Sequence, residues 1–289
     1  MANNSNPLSD ILKKIVGLFF PPQNLPAQTP SSPPSTISTV MNRKVLAIDF
    51  RPAAIPSFWS NTDSLIQKYV AAMQQASGNM LVYQVVNTLE VPKYPLLLDG
   101  RQYDDTTWKL ALDDDTKAFR DSHGSYMLAD YQRIIQDFNL VQQVQSQQID
   151  EVWMFGGPYF GFYESRMVGT GAFWCNGPGI EQNCRRFVIM GYNYQRDVKE
   201  KVHDFGQRAE SILARQFGSQ TFLHQLYTSQ PPAATTVPAP KNDFEQYLMT
   251  HGTVHRKPGG ADYGQDEMAW VSALKPEWFP PAVDPNKAS

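Results

Sequence analysis

The stretch that decides the fold is IDEVWMFGGPYFGFYESRM at residues 149–167, followed by AFWCNGPG at 172–179 and FVIMGYNYQRDVKEKVHDFGQRAE at 187–210. An apolar run typical of a buried strand ends there in a loop rich in glycine and aromatic residues. A second apolar run then leads into a charged segment with helical spacing. Polar side chains that follow buried parallel strands gather at the carboxyl edge of the sheet, where α/β proteins usually keep their sites. We therefore expect a functional site in this stretch.

Over its whole predicted core, the chain alternates strand and helix patterns. We predict strands at 41–50, 80–91, 151–157 and 187–194, and helices at 62–76, 130–147 and 197–217. This order predicts an α/β fold with a mostly parallel sheet and flanking helices. A tethered amphipathic helix precedes the predicted fold and an irregular tail follows it.

The bulk composition narrows the class of protein. The chain has 289 residues, of which 42% are hydrophobic and 12% aromatic, as expected for a globular domain with a real core. A net charge of −3 argues against a nucleic-acid-binding protein, which usually carries a strongly basic face. The apolar runs are shorter than the roughly 20 residues of a transmembrane helix. We expect a cytoplasmic location, with export as the alternative.

Residues 7–20, PLSDILKKIVGLFF, predict a short amphipathic helix before the core. At helical spacing its apolar face carries Leu8, Ile11, Ile15 and Phe19. Residues 21–39 are rich in proline and serine and predict a disordered linker. A helix on such a linker is typical of docking to a protein assembly, such as a compartment shell, or to a membrane surface. Packing onto its own domain and an export signal are the alternatives.

The domain boundaries follow from these composition changes. We predict a docking helix at 1–20, a linker at 21–39, an α/β core domain at 40–220, a second linker at 221–242 and an irregular extension at 243–289. The extension keeps several large aromatic residues, so we expect it to pack on the core.

Asp49, Glu164 and Arg166 are the candidate catalytic residues, because each follows an apolar, strand-like run. In a parallel sheet we expect the three to converge at one edge. Glu164, beside Phe162 and Tyr163, has apolar neighbours that suit a general acid–base. Arg166 can hold a carboxylate or a phosphate through paired hydrogen bonds. The alternative is that these residues form ion pairs that pin the loop.

Two aromatic residues of the same stretch, Tyr159 and Trp174, are candidates for stacking against a sugar ring or an apolar partner. Packing within the protein is the alternative for both. On the last core helix, His203, Gln207 and Glu210 share a flank, which we interpret as a solvated face.

The motifs for metals and cofactors are weak. His251 and His255 have a spacing that suits a metal only on a helix, and the intervening glycine disfavours one, so no metal site is predicted. The glycine-rich loop matches neither the dinucleotide fingerprint nor the phosphate loop, so the sequence does not identify a cofactor. Cys175 and Cys184 either form a disulfide or remain two thiols.

The segments IDEVWMFGGPYFGFYESRMVGTGAFWCN, RRFVIMGYNYQRDV and HDFGQRAESIL resemble a family of bacterial proteins, some of them exported, with no established activity. The resemblance covers about residues 44–280 and implies one coherent domain of bacterial origin. It implies no reaction and no site residues.

Two functions fit these features. The favoured hypothesis is a tethered α/β enzyme, a hydrolase of a polar or carbohydrate-like substrate, with Glu164 as acid–base. The alternative is a non-catalytic binding or cargo protein, docked to a larger assembly, a compartment shell or a membrane surface through residues 7–20.

Overall fold

The computed structural model describes residues 41–76, 81–228 and 239–255. The predicted docking helix at 7–20, the linker after it and most of the predicted irregular extension lie outside these residues. No helix in the described part of the chain is both long and apolar enough to cross a membrane.

The described residues form a five-stranded sheet in the order β2-β1-β3-β5-β4. Its strands are β1 (Met41–Phe50), β2 (Leu81–Val91), β3 (Glu151–Gly156), β4 (Ser165–Val168) and β5 (Phe187–Asn193). β1 is parallel to β3 and β3 to β5, whereas β4 is antiparallel to β5. The N–H of Arg51 donates to the carbonyl of Val91 at 2.9 Å, so β1 and β2 end side by side. The predicted α/β fold with a mostly parallel sheet is confirmed.

Helices flank this sheet. They are α1 (Thr62–Ala76), α2 (Asp105–Asp113), α3 (Tyr131–Asp137), α4 (Leu140–Gln145), α5 (Val198–Phe217), α6 (Gln220–Thr228) and α7 (Asp243–His251). The helix predicted at 130–147 is two helices, α3 and α4, because Asn139 adopts a left-handed φ of 50° between them. A residue in this conformation cannot continue a right-handed helix.

Four short elements differ from the sequence-based prediction. β4 lies in the segment interpreted as an aromatic loop, and α2 lies in an irregular stretch of the predicted core domain. α6 begins before the predicted second linker and runs into it, and α7 lies in the predicted irregular extension. α7 does carry a local signal, since the side chain of Asn242 accepts the N–H of Glu245 at 2.9 Å as an N-cap. Helices this short show too little periodicity to be predicted unless their capping residues are also considered.

The chain divides into two compact units. One comprises Arg43–Val70 and Tyr83–Arg208 and contains most of the sheet. The described residues of the other are 41–42, 71–76, 81–82, 209–228 and 239–255. The candidate site belongs entirely to the first unit.

A buried ion pair joins the sheet to α5 inside the first unit. Arg208 Nη1 donates to Glu151 Oε1 at 2.7 Å, and the two side chains are 0% and 1% exposed. Trp153 Nε1 donates to the same carboxylate oxygen at 2.8 Å. The rings of Tyr69 and Tyr83 each lie 5.0 Å from that of Trp153. α1 and α5 therefore cover the face of the sheet that carries Glu151 and Trp153.

Candidate active site

Glu164 lies at the start of β4, where the antiparallel pairing begins. Its carbonyl accepts the N–H of Gly191 of β5 at 3.1 Å, which fixes its backbone at the carboxyl end of β5. Its carboxylate is half-buried, and Oε2 accepts a hydrogen bond from Asn176 Nδ2 at 2.6 Å. The amide thus holds one carboxylate oxygen in place and leaves the other to act on a ligand.

The loop that carries Asn176 is fastened to β4. The buried hydroxyl of Ser165 donates to the carbonyl of Cys175 at 3.0 Å. Gly177 lies so close to the ring of Tyr163 that an added Cβ would be 2.9 Å from it. A glycine is needed at this approach, and the sequence NGPG after Cys175 supplies it.

Asp204 of α5 is a buried carboxyl group whose charge interacts with that of Glu164. It is 5% exposed, and its Oδ1 has no hydrogen-bond partner in the part of the chain that the structure describes. Burial raises the pKa of Asp204 well above its usual range, and the negative charge of Glu164 raises it further, while Lys201 opposes both. The proton-bearing form of Asp204 is therefore favoured beside Glu164.

Lys201 completes the cluster one helical turn before Asp204. Its ammonium is buried and donates to the carbonyls of Arg196 at 3.2 Å and Asp197 at 3.3 Å. Burial lowers the pKa of Lys201 to about 8, although the carboxylates of Asp204 and Asp197 oppose this shift. Titratable groups with displaced pKa values that share one location are typical of functional sites.

Arg166 does not join this cluster. Along the paired strands it aligns with Ile189, and through β3 with Leu46 of β1. Asp49 lies three positions after Leu46, so its side chain points to the opposite face of the sheet. Arg166 instead donates from Nε to the carbonyl of Pro178 at 2.8 Å. The predicted convergence is therefore wrong for Arg166.

The guanidinium of Arg166 also lies 4.6 Å from the centre of the Tyr131 ring, on α3. Burial lowers the pKa of Arg166, and the two neighbouring tyrosines oppose this. These contacts give the side chain a role in holding the loop after β4 against α3.

Asp49 is also separate from Glu164. The strand order puts β3 and β5 between them, a distance of about 14 Å at the usual strand spacing. The carboxylate of Asp49 accepts a short hydrogen bond from Tyr194 and lies 3.5 Å from Arg51 Nε. Arg51 also donates to the carbonyl of Ser60 at 3.0 Å. Asp49 thus takes part in a network that pins the loop after β1, the alternative left open by the sequence.

The two candidate aromatic residues lie in different surroundings. Tyr159 has a left-handed φ of 65° and packs its ring 5.3 Å from that of Tyr126. Trp174 is 61% exposed and precedes Asn176 by two residues in the loop that carries it. Trp174 is therefore the better placed of the two to meet a ligand of Glu164.

The structure corrects the interpretation of the last core helix and resolves the cysteine alternatives. Gln207 and Glu210 are 7% and 3% exposed, so the predicted solvated face of α5 is wrong. This flank of α5 is buried together with the apolar stripe of the helix.

Cys175 and Cys184 are both buried thiols, and burial raises the pKa of Cys175 to about 11. A thiol of this kind is a poor nucleophile.

The sequence reasoning missed Asn176, Lys201 and Asp204. A sequence signal exists for the last two, because Lys201 and Asp204 in KVHDF are three residues apart and therefore share a helix face. Their relation to Glu164 depends on tertiary packing and has no local signal.

No protein-family model matches the chain, and no curated protein or solved structure does. The resemblance to a bacterial family, drawn from the sequence, stays a prediction.

Proposed function

We propose that the protein is a hydrolase of a polar, carbohydrate-like substrate, with Glu164 as its general acid–base. The observation that carries this proposal is the half-buried Glu164 carboxylate, which accepts a hydrogen bond from Asn176 at 2.6 Å and whose charge raises the pKa of the buried Asp204. Paired carboxyl groups in unlike surroundings, one of which keeps its proton, are a recurrent arrangement for acid–base catalysis.

Each residue has a distinct part in this proposal. Glu164 is the group accessible to substrate, so it takes the proton from a water molecule whose oxygen bonds to the electrophilic carbon. It returns that proton to the departing oxygen as the C–O bond breaks. Asn176 fixes the orientation of Glu164, and Asp204 and Lys201 set the charge around it. The latter three are positioning residues.

The test is substitution of Glu164 by glutamine, which keeps the amide contact and removes the acid–base function. Wild-type protein and variant are assayed on a panel of nitrophenyl glycosides and esters. We expect kcat/KM to fall by about 10²- to 10⁴-fold with the melting temperature nearly unchanged. Glu181→Gln is the matched control and should retain full activity, because Glu181 is an exposed carboxylate that accepts the N–H of Gly171.

Two outcomes contradict this proposal. One is undiminished turnover by Glu164→Gln. The other is an absence of turnover by the wild-type protein over the whole panel.

The sequence supports an attachment as part of the same proposal. The apolar face of residues 7–20 docks the enzyme, in the cytoplasm, to a larger assembly or a membrane surface. Deletion of residues 1–38 should abolish co-purification with that assembly and co-sedimentation with vesicles, while the core keeps its melting temperature. Unchanged association after the deletion would rule out the attachment and leave the catalytic proposal intact.

A further inference from the structure

A cavity of about 730 Å³ opens in the first unit at the carboxyl ends of β1 and β2. Glu164 and Asp204 are not among its lining residues, so it is a second site. Its volume lies within the range of about 300–1,000 Å³ that small-molecule sites have in proteins. It also lies at the edge of the sheet where α/β proteins usually bind ligands.

The floor of this cavity is apolar. Phe50 at the end of β1, Tyr94 after β2 and Ile134 of α3 line it, and each is at most 4% exposed. The ring of Phe138 meets that of Phe50 edge to face at 6.1 Å. An apolar group that reaches this floor therefore meets aromatic and aliphatic side chains.

The rim carries both signs of charge. Arg133 and Asp137 pair with each other across 2.8 Å on α3. Glu90, near the end of β2, and Lys93, just after β2, are exposed and form no ion pair with any of the described residues. A ligand of single charge would be repelled by one of them, whereas a ligand with both charges can satisfy both.

The spacing of these two charges narrows the class of ligand. The chain bends between them, because the N–H of Lys93 donates to the carbonyl of Val91 at 2.7 Å, so the two residues lie closer than the roughly 10 Å of an extended chain. The two charges of a free amino acid lie on one carbon, whereas those of a dipeptide are a full peptide unit apart. We propose that the cavity binds a short apolar peptide with free ends, its ammonium at Glu90, its carboxylate at Lys93 and its side chains on the floor.

The probe is the dipeptide leucyl-phenylalanine, titrated calorimetrically into the full chain. We expect saturable binding, and about tenfold weaker binding at each charge removed, by Glu90→Gln or by Lys93→Gln. Both residues are exposed, so both variants should fold. Lys109→Gln, an exposed lysine on α2 outside the cavity lining, is the control and should bind like the wild type.

A second ligand separates charge recognition from plain apolar binding. The same dipeptide with an acetylated amino end and an amidated carboxyl end should bind at least tenfold more weakly than the free dipeptide. Equal affinity for the two ligands, no heat from the free dipeptide at millimolar concentration, or wild-type affinity in both rim variants would each overturn the proposal. None of these results depends on the activity of Glu164.

Discussion

At the scale of single residues, the carboxyl group of Asp204 lies away from water. Asp204 is almost fully covered, and its Oδ1 accepts no hydrogen bond from the described residues. An ionised carboxylate in such a place carries a large desolvation penalty, which protonation relieves. Glu164 next to it adds its own charge to that penalty. The protonated form of Asp204 is therefore favoured.

Glu210, in the second unit, offers a test of the same principle through stability. Burial raises the pKa of Glu210 from 4.5 to about 7, although Tyr227 and the N–H of Val254 donate to its carboxylate. Between these pKa values the folded state holds a proton that the unfolded state has released, so the contribution of Glu210 to stability is fully present below about pH 4.5 and is lost as the pH rises through about 7. At about 1.4 kcal/mol per pKa unit, we expect a loss of about 3 kcal/mol.

The measurement is the free energy of unfolding by urea between pH 4 and 8, for the wild type and for Glu210→Gln. The glutamine keeps an acceptor for Val254 but has no proton to lose, so the difference between the two curves should change by about 3 kcal/mol over this range. Parallel curves would contradict the assignment.

At the scale of elements, close backbone contacts place the loop between β3 and β4 that leads into Glu164. Gly161 has a φ of 78°, and its carbonyl accepts the N–H of Ala129 at 2.9 Å. A Cβ added at Gly161 would lie 2.3 Å from the Ala129 nitrogen. The three atoms nearest to that Cβ are all backbone atoms of residues 127–129, so none is a flexible side chain that could move aside. This contact fixes the position of the loop, and with it the position of the first residues of β4.

Gly161→Ala should therefore destabilise the protein by about 3 kcal/mol or more, since overpacking adds to the strain of a positive φ. Gly124→Ala is a matched control, because Gly124 has a φ of 81° and open space around its Cα. In the control, the free energy of unfolding should fall only by the cost of a positive φ at a residue with a side chain, about 1–2 kcal/mol. Thermal unfolding of both variants measures the difference, and equal losses would show that the close approach at Gly161 is unimportant.

At the scale of the whole molecule, the sheet and α5 are joined through the buried pair of Arg208 and Glu151. Removing one partner leaves the other charged, buried and uncompensated. We expect Arg208→Met to lower the free energy of unfolding by about 3–5 kcal/mol. Arg133→Met, which breaks the exposed pair with Asp137, should lower it by less than about 1 kcal/mol. Comparable losses in the two variants would contradict the structural importance of the buried pair.

The sequence predicts those parts of the molecule that depend on local periodicity. β1, α1, β3 and β5 follow from apolar runs and helical spacing, and their order is enough for the α/β fold. Glu164 could be singled out because it follows an apolar strand and a turn. The supposed grouping with Asp49 and Arg166 fails, since strand order and the alternation of side chains are set by pairing between distant segments.

Asp204 shows what could not be predicted from the sequence. Its position on α5 is predictable, but its burial and its approach to Glu164 arise from packing between segments 40 residues apart in sequence. No local pattern carries that information. Lys201 is missed for the same reason, since an isolated helix would leave its ammonium in water.

The most direct test of the central claim is a carbon-detected NMR titration of the Asp204 carboxyl group, in the wild type and in Glu164→Gln. The structure predicts that Asp204 keeps its proton at a pH where an ordinary aspartate has lost it, and that it titrates at lower pH in the variant, which lacks the neighbouring charge. Titration of Asp204 near pH 4 in both proteins, with no difference between them, would contradict the paired-carboxyl site.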